Sequence, residues 1–214
     1  MNRCLKILFF ALFVRPLVFV GLGLNIINRE YLPARGPAVI AANHNSHLDT
    51  LVLMSLFPLA MVHRVRPVAA ADYFLAKRLL AWFSLRIIGI IPLDRSGGTD
   101  LDILFEPLRQ ALDRDDILVL FPEGSRGDPE RMGRVRKGIC HLLKGREQIP
   151  VSPVVMHGLG RALPRGEALL VPFNCDVVIG EPMRMQGKSS QFVKRLTETY
   201  DELFTQCLTR HPDE

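Results

Sequence analysis

Pro37-Ala38-Val39-Ile40-Ala41-Ala42-Asn43-His44-Asn45-Ser46-His47-Leu48-Asp49-Thr50 passes from apolar to polar and back within a few residues. Ala38 to Ala42 reads as a buried strand, Asn43 to Asp49 as a polar knot, and from Leu48 the apolar residues return at helical spacing. Open α/β sheets bind their ligands at such a place, outside the carboxyl end of a strand. His44 and Asp49 stand either side of the helix start and lie side by side if the loop folds back. An imidazole oriented by a carboxylate is the minimum equipment of a general base at neutral pH. The same residues also have a purely local reading. Ser46-x-x-Asp49 fits a capping box with Asp in place of Glu, and an acid in the first turn suits the helix dipole. Ser46 reads as an N-cap rather than a nucleophile, because no G-x-S-x-G elbow surrounds it. His47 reads as an exposed residue of the helix start.

Outward from this stretch, strand and helix patterns alternate. Helices are expected over 48–59, 74–87, 100–113, 138–147 and 189–208, and strands over 67–71, 88–93, 116–121 and 150–156, with one or two more in 168–180. Such alternation predicts an α/β fold, a mixed, largely parallel sheet flanked by helices. No repeat or low-complexity linker divides the chain. Residues 1–30 are expected to form an apolar membrane-associating segment and 31–214 a single α/β domain, of a size that buries a good core.

The formal charge of +5 suits anionic partners. Aromatic residues are few and not interleaved with the basic ones, so a stacking surface for nucleic acid is not expected. The four cysteines are scattered without a CxxC pair and read as reduced thiols of a cytosol-facing protein. Residues 4–27 are strongly apolar but interrupted by Lys6, Arg15-Pro16 and Asn25. The Arg-Pro pair is expected to split them into two segments of roughly ten residues, each too short to span a bilayer. No A-x-A-like site follows, which argues against a signal peptide. The expected arrangement is one or two helices lying in the cytoplasmic membrane interface, with Arg3, Lys6 and Arg15 near lipid phosphates.

Two further polar clusters follow strands. Phe121 leads into Pro122-Glu123-Gly124-Ser125-Arg126-Gly127, where glycine lets backbone N–H groups approach an anion and the guanidinium forks onto phosphate oxygens. Arg95 ends another strand pattern in a Gly-rich loop. If these strands run parallel to the first, all three clusters meet at one edge of the sheet. Read alone, Glu123 and Arg126 make a local ion pair across a turn and Arg95 is a solvated charge. Arg131, Arg134, Arg136 and Lys137 form a basic patch beside the third cluster.

Together these clusters resemble the glycerolipid acyltransferase family, which includes lysophosphatidic acid acyltransferases. Asn43-His44-Asn45-Ser46-His47-Leu48-Asp49 matches its H-x4-D block, Gly89-Ile90-Ile91-Pro92-Leu93-Asp94-Arg95 its second and Phe121-Pro122-Glu123-Gly124-Ser125-Arg126-Gly127 its third. Ile149-Pro150-Val151-Ser152-Pro153-Val154 matches the fourth. The resemblance covers roughly 35 to 180 of an ordinary single-domain length. It implies transfer of a fatty acyl group from a thioester, on coenzyme A or acyl carrier protein, to a hydroxyl of lysophosphatidic acid or a similar lyso-lipid. His44 would be the base and Asp49 its orienting partner, while Arg126 with Arg95 would hold the acceptor phosphate in a pocket shaped by Glu123, Gly124 and Ser125. A backbone N–H near the helix start would suit the oxyanion. The resemblance implies no metal and no cofactor beyond the acyl donor. The chain is short for a lysophosphatidic acid acyltransferase, which leaves lyso-ornithine lipid or lysophosphatidylglycerol open as acceptor.

Two rival classes fit some of the same residues. A metallohydrolase would take ligands from His44, His47 and Asp49, with later ones from His141 and His157, neither of which has an evident partner in the sequence. A non-catalytic membrane-binding scaffold would have kept the fold without the reaction.

Overall fold

The computed structural model describes residues 3–46, 48–74, 77–94, 100–125, 132–162 and 174–210, with the side chains of 73, 74, 161 and 162 set aside. Among the described residues, seven strands form one sheet. They are β1 (Gly23–Ile27), β2 (Ala38–Ala42), β3 (Val65–Ala70), β4 (Ile91–Leu93), β5 (Ile117–Leu120), β6 (Val151–His157) and β7 (Asn174–Ile179). Their spatial order is β1-β7-β6-β2-β5-β3-β4. Strands β2 to β6 run one way, and β7 turns antiparallel to β6 and carries β1 parallel beside it. The expected mixed, largely parallel sheet is therefore present.

Helices cover both faces. On one lie α1 (Arg3–Gly21), α2 (Leu48–Ser55) and α3 (Arg78–Phe83), the last continuing as a π-turn over Ser84–Ile88. On the other lie α4 (Leu101–Asp113), α5 (Gly138–Leu143) and α6 (Ser189–Phe204). Strand β2 is central and wholly buried. Ala38, Ile40 and Ala42 face the first core and Val39 and Ala41 the second, which is why its sequence is an unbroken apolar run. The Tyr200 hydroxyl on α6 donates to Ala41 O at 2.9 Å, tying a helix to the strand that carries the polar knot.

The amino-terminal region departs from expectation in three ways. First, Arg15-Pro16 does not divide it: α1 runs unbroken from Arg3 to Gly21. A π-turn over Phe10–Val14 lets Arg15 N–H reach Phe10 O, and Pro16 then falls in the first turn of the segment that follows, where its missing N–H costs little. Second, Lys6 and Arg15 do not face lipid. Lys6 Nζ donates to Val65 O at 3.0 Å within the core, and Arg15 Nη2 donates to Phe57 O at 2.6 Å. Arg29 Nη2 donates to Leu56 O at 2.7 Å, so two guanidinium groups satisfy carbonyls just beyond the end of α2. Third, Gly23–Ile27, inside the segment read as membrane-associating, is an edge strand of the sheet.

Elsewhere the differences lie at element ends. Helix α2 stops at Ser55, three residues before Pro58, and α5 stops at Leu143. The strand expected over 88–93 starts only at Ile91, because Ser84–Ile88 stays helical and Gly89 turns the chain at φ +76°. Of the region 168–180, residues up to 173 lie outside the described residues and Asn174–Ile179 is the strand β7.

Candidate active site

The parallel direction of β2, β5 and β6 places residues 43–46, 48–49, 121–125 and His157 at one edge of the sheet. Strand β4 ends at that edge too, at Leu93. Arg95, Arg126, Arg131 and His47 lie outside the described residues.

Asn43 anchors the polar knot. Its side chain donates to Met156 O at 2.8 Å and accepts from Met156 N–H at 2.7 Å, extending the β2–β6 ladder by one amide. Asn45 Nδ2 donates to the same carbonyl at 2.8 Å. The chain then folds back so that Asp49 Oδ2 collects three donors: His44 Nδ1 at 2.9 Å, Asn45 N–H at 2.7 Å and Ser46 N–H at 2.8 Å. Asp49 is fully buried. The capping contact and the imidazole contact fall on the same side-chain oxygen of this residue. Its bond to Ser46 N–H is one half of a capping box, Leu48 N–H reaches Ser46 Oγ at 3.3 Å, and the same oxygen holds the imidazole.

With Nδ1 donating to Asp49, Nε2 is left as the acceptor nitrogen of His44. The ring stacks on Phe121, centroids 4.0 Å apart and planes at 20°, and its side chain remains 20 % exposed. The imidazole is thus held on one edge by Asp49 and on one face by Phe121.

Glu123 is buried and braces this loop from the next strand. Its carboxylate accepts from His44 N–H at 2.8 Å and from Gly133 N–H at 2.7 Å. Burial pushes its pKa up, and the two N–H donors pull it back in part. The expected ion pair with Arg126 lies outside the described residues, and Glu123 serves as a cross-loop brace. A Cβ on Gly133 would stand 2.6 Å from Glu123 Oε2, so a side chain there would push the Glu123 carboxylate from its place. Gly124 adopts φ +79° with Arg136 Cδ and Nε lying over it, and Ser125 is exposed beside it. Arg136 N–H donates to Pro122 O at 2.9 Å, which brings the exposed Arg134, Arg136 and Lys137 to the same edge.

The backbone N–H groups of His44, Asn45 and Ser46 are all committed to Glu123 and Asp49. These three are therefore not donors for an oxyanion, and the N–H of His47 lies outside the described residues. Among the described residues, no three His, Cys, Asp or Glu side chains converge on a metal position. His157, without an evident partner in the sequence, is buried with Nδ1 2.7 Å from Thr209 Oγ1, which in turn donates to Asp176 Oδ2 at 2.7 Å. Sequence reasoning missed the stacking role of Phe121, the bridging by Asn43 and the donation of Gly133 N–H to Glu123. The first two sit inside motif blocks; nothing local marked the third.

A family model described as "Acyltransferase" matches residues 23–157. The chain is 27% identical over 183 residues to 1-acyl-sn-glycerol-3-phosphate acyltransferase alpha of Mus musculus, covering 84% of this chain and 61% of that protein. It is 27% identical over 162 residues to the chloroplastic 1-acyl-sn-glycerol-3-phosphate acyltransferase LPAT1 of Arabidopsis thaliana, covering 75% of this chain and 43% of that one. The chain thus spans about three fifths, or less, of the length of these curated relatives. The crystal structure of the 1-acyl-sn-glycerophosphate (LPA) acyltransferase PlsC from Thermotoga maritima superposes with a TM-score of 0.73 at 16% identity, over 97% of this chain and 81% of that one. The two share a fold.

Proposed function

The chain belongs to the acyltransferase family, and on that premise we propose that it moves a fatty acyl group from a thioester donor, acyl-CoA or acyl carrier protein, to the free hydroxyl of 1-acylglycerol-3-phosphate. The observation that carries this reading is the 2.9 Å contact of His44 Nδ1 with the buried Asp49, at the carboxyl edge of the sheet, which leaves Nε2 as the acceptor nitrogen of the ring. Nε2 takes the hydroxyl proton as the oxygen attacks the thioester carbonyl. The C–S bond breaks, and the departing thiolate takes the proton back from the imidazolium. Asp49 stabilises that imidazolium and fixes the tautomer. The acceptor itself is the nucleophile, so no acyl-enzyme forms. Arg126 and Arg95 are proposed to hold the acceptor phosphate, with Glu123, Gly124 and Ser125 shaping the loop around it. Gripping the charged end orients the hydroxyl, and orientation alone supplies several kcal/mol (roughly 7 at the low end of well-aligned cases). The outward apolar face of α1 suggests the cytoplasmic membrane surface as the place of work, because acceptor and product both live there.

The test is an acceptor panel with purified protein and long-chain acyl-CoA, read by mass spectrometry. 1-Acylglycerol-3-phosphate should be converted to the diacyl product, faster than lysophosphatidylglycerol or lyso-ornithine lipid, and His44→Ala should abolish conversion. Conversion by His44→Ala at the wild-type rate would remove the imidazole from the mechanism; no conversion of any lyso-lipid would return the chain to the scaffold class.

A further inference from the structure

The crossover from β3 to β4 carries the chain's only tryptophan. Its helix α3, with the π-turn that continues it, buries Ser84, Ile87 and Ile88 against the sheet. The opposite side presents Leu79, Trp82 and Leu85, which are 79 %, 52 % and 38 % exposed. Their spacing of three puts them on one outward stripe. The outward face of a surface helix in a water-soluble domain is ordinarily polar, so an apolar stripe here is in the wrong solvent.

Charge says what the right solvent is. Lys77, Arg78 and Arg86 are exposed along the same element, and no Asp or Glu occurs between residues 73 and 93. A short basic helix with Trp and Leu on one side and Lys and Arg beside them is the composition of an element lying in the headgroup region of an anionic membrane. The neighbouring helix extends the surface. Phe83 meets Phe9 of α1 edge to face, centroids 5.3 Å apart, and both helices cover the same face of the sheet. On α1 the outward residues include Leu12, Phe13 and Val20, at 59 %, 65 % and 86 % exposed. Two adjoining helices therefore turn apolar stripes away from the sheet together.

We infer that α3 is a second membrane-embedding element, seated beside α1, which inserts Leu79, Trp82 and Leu85 into the acyl boundary of an anionic bilayer while Lys77, Arg78 and Arg86 meet lipid phosphates. This surface is separate from the proposed acyl-transfer chemistry and rests on that reading only for the presence of a lipid substrate nearby. Lipid phosphate attracts each cation near the surface enough to change binding about fivefold, and salt screens the attraction.

Trp82 is its own probe. Full-length protein is mixed with vesicles of phosphatidylcholine and phosphatidylglycerol, and with phosphatidylcholine alone, while acyl transfer is assayed separately on detergent-dispersed substrate. The expected result on the anionic vesicles is a blue shift of Trp82 emission and quenching by lipids brominated high on the acyl chain. Binding should weaken about fivefold in Arg78→Ala and again in Arg86→Ala, and weaken with added salt. Cosedimentation with vesicles while Trp82 emission stays unshifted and unquenched would overturn the inference and leave α1 as the sole contact. A blue shift that follows protein concentration without vesicles would also overturn it, making the stripe a contact between copies. Unimpaired acyl transfer in detergent alongside either result would show that the proposed function survives.

Discussion

Asp49 answers to two demands with one oxygen. It caps the start of α2 through Ser46 N–H and holds His44 through Nδ1. Replacing it with Asn keeps an acceptor for the backbone donors but can turn the amide N–H toward Nδ1, which favours the wrong imidazole tautomer. Asp49→Asn should therefore lower turnover by about 10³ to 10⁴, while the melting temperature moves by only a few degrees. Turnover and calorimetry on the same preparation check this; equal rates for variant and wild type would reduce Asp49 to a cap. The stacking of His44 on Phe121 and the bracing of its backbone by Glu123 explain why the ring needs no further contact to hold its position.

At the scale of elements, α1 is held by more than its apolar stripe. Lys6, Phe10, Val14 and Val18 recur every fourth residue and all face the core. Burial is the main reason that the Lys6 ammonium is driven down from the ordinary lysine range to about 7, with Arg66 adding to the effect and Asp116 opposing it. The sign follows from proton counting. Between about pH 7 and the ordinary value of 10.5 the unfolded chain holds a proton on Lys6 that the folded chain has lost, so stability rises with pH across that window. The slope approaches about 1.4 kcal/mol per pH unit in mid-window, and the burden of the buried charge is complete below pH 7. Denaturant titrations at pH 7 and pH 9 should show wild type gaining stability with pH and Lys6→Met lacking that gain. An unchanged slope in Lys6→Met would assign the pH dependence to another group.

At the scale of the whole molecule, the amino-terminal segment is part of the fold. Phe10, Val14, Val18 and Leu22 belong to the same core cluster as Ile40, Val52 and Val154, and β1 pairs with β7 along its whole length. Removing residues 1–22 should expose this face and yield aggregated protein. The measurement is size-exclusion chromatography of the truncated chain with and without detergent; a monodisperse, fully active truncation would show that α1 is only an anchor. Intact α1 instead carries two faces, one buried in the domain and one turned outward.

The pattern of residues already held the strand Ala38–Ala42, the helix beginning at Leu48 and the pairing of His44 with Asp49, because each follows from contacts a few residues long. Strand β5 and helix α4 are legible for the same reason: an unbroken apolar run, and helical spacing from Asp100 to Asp113. The strand β1 was hidden, since Gly23–Ile27 continues an apolar run and becomes a strand only when β7, some 150 residues later, offers its edge. The positions of Lys6 and Arg15 in an apolar segment point to lipid, and tertiary structure gives them carbonyls on β3 and beyond α2 instead. Sequence alone thus determined the local chemistry, where hydrogen bonds close within one turn. Which charges are buried, which strand lies at the edge and which loop braces the imidazole were decided only by packing, because those contacts join residues that proximity along the chain never brings together.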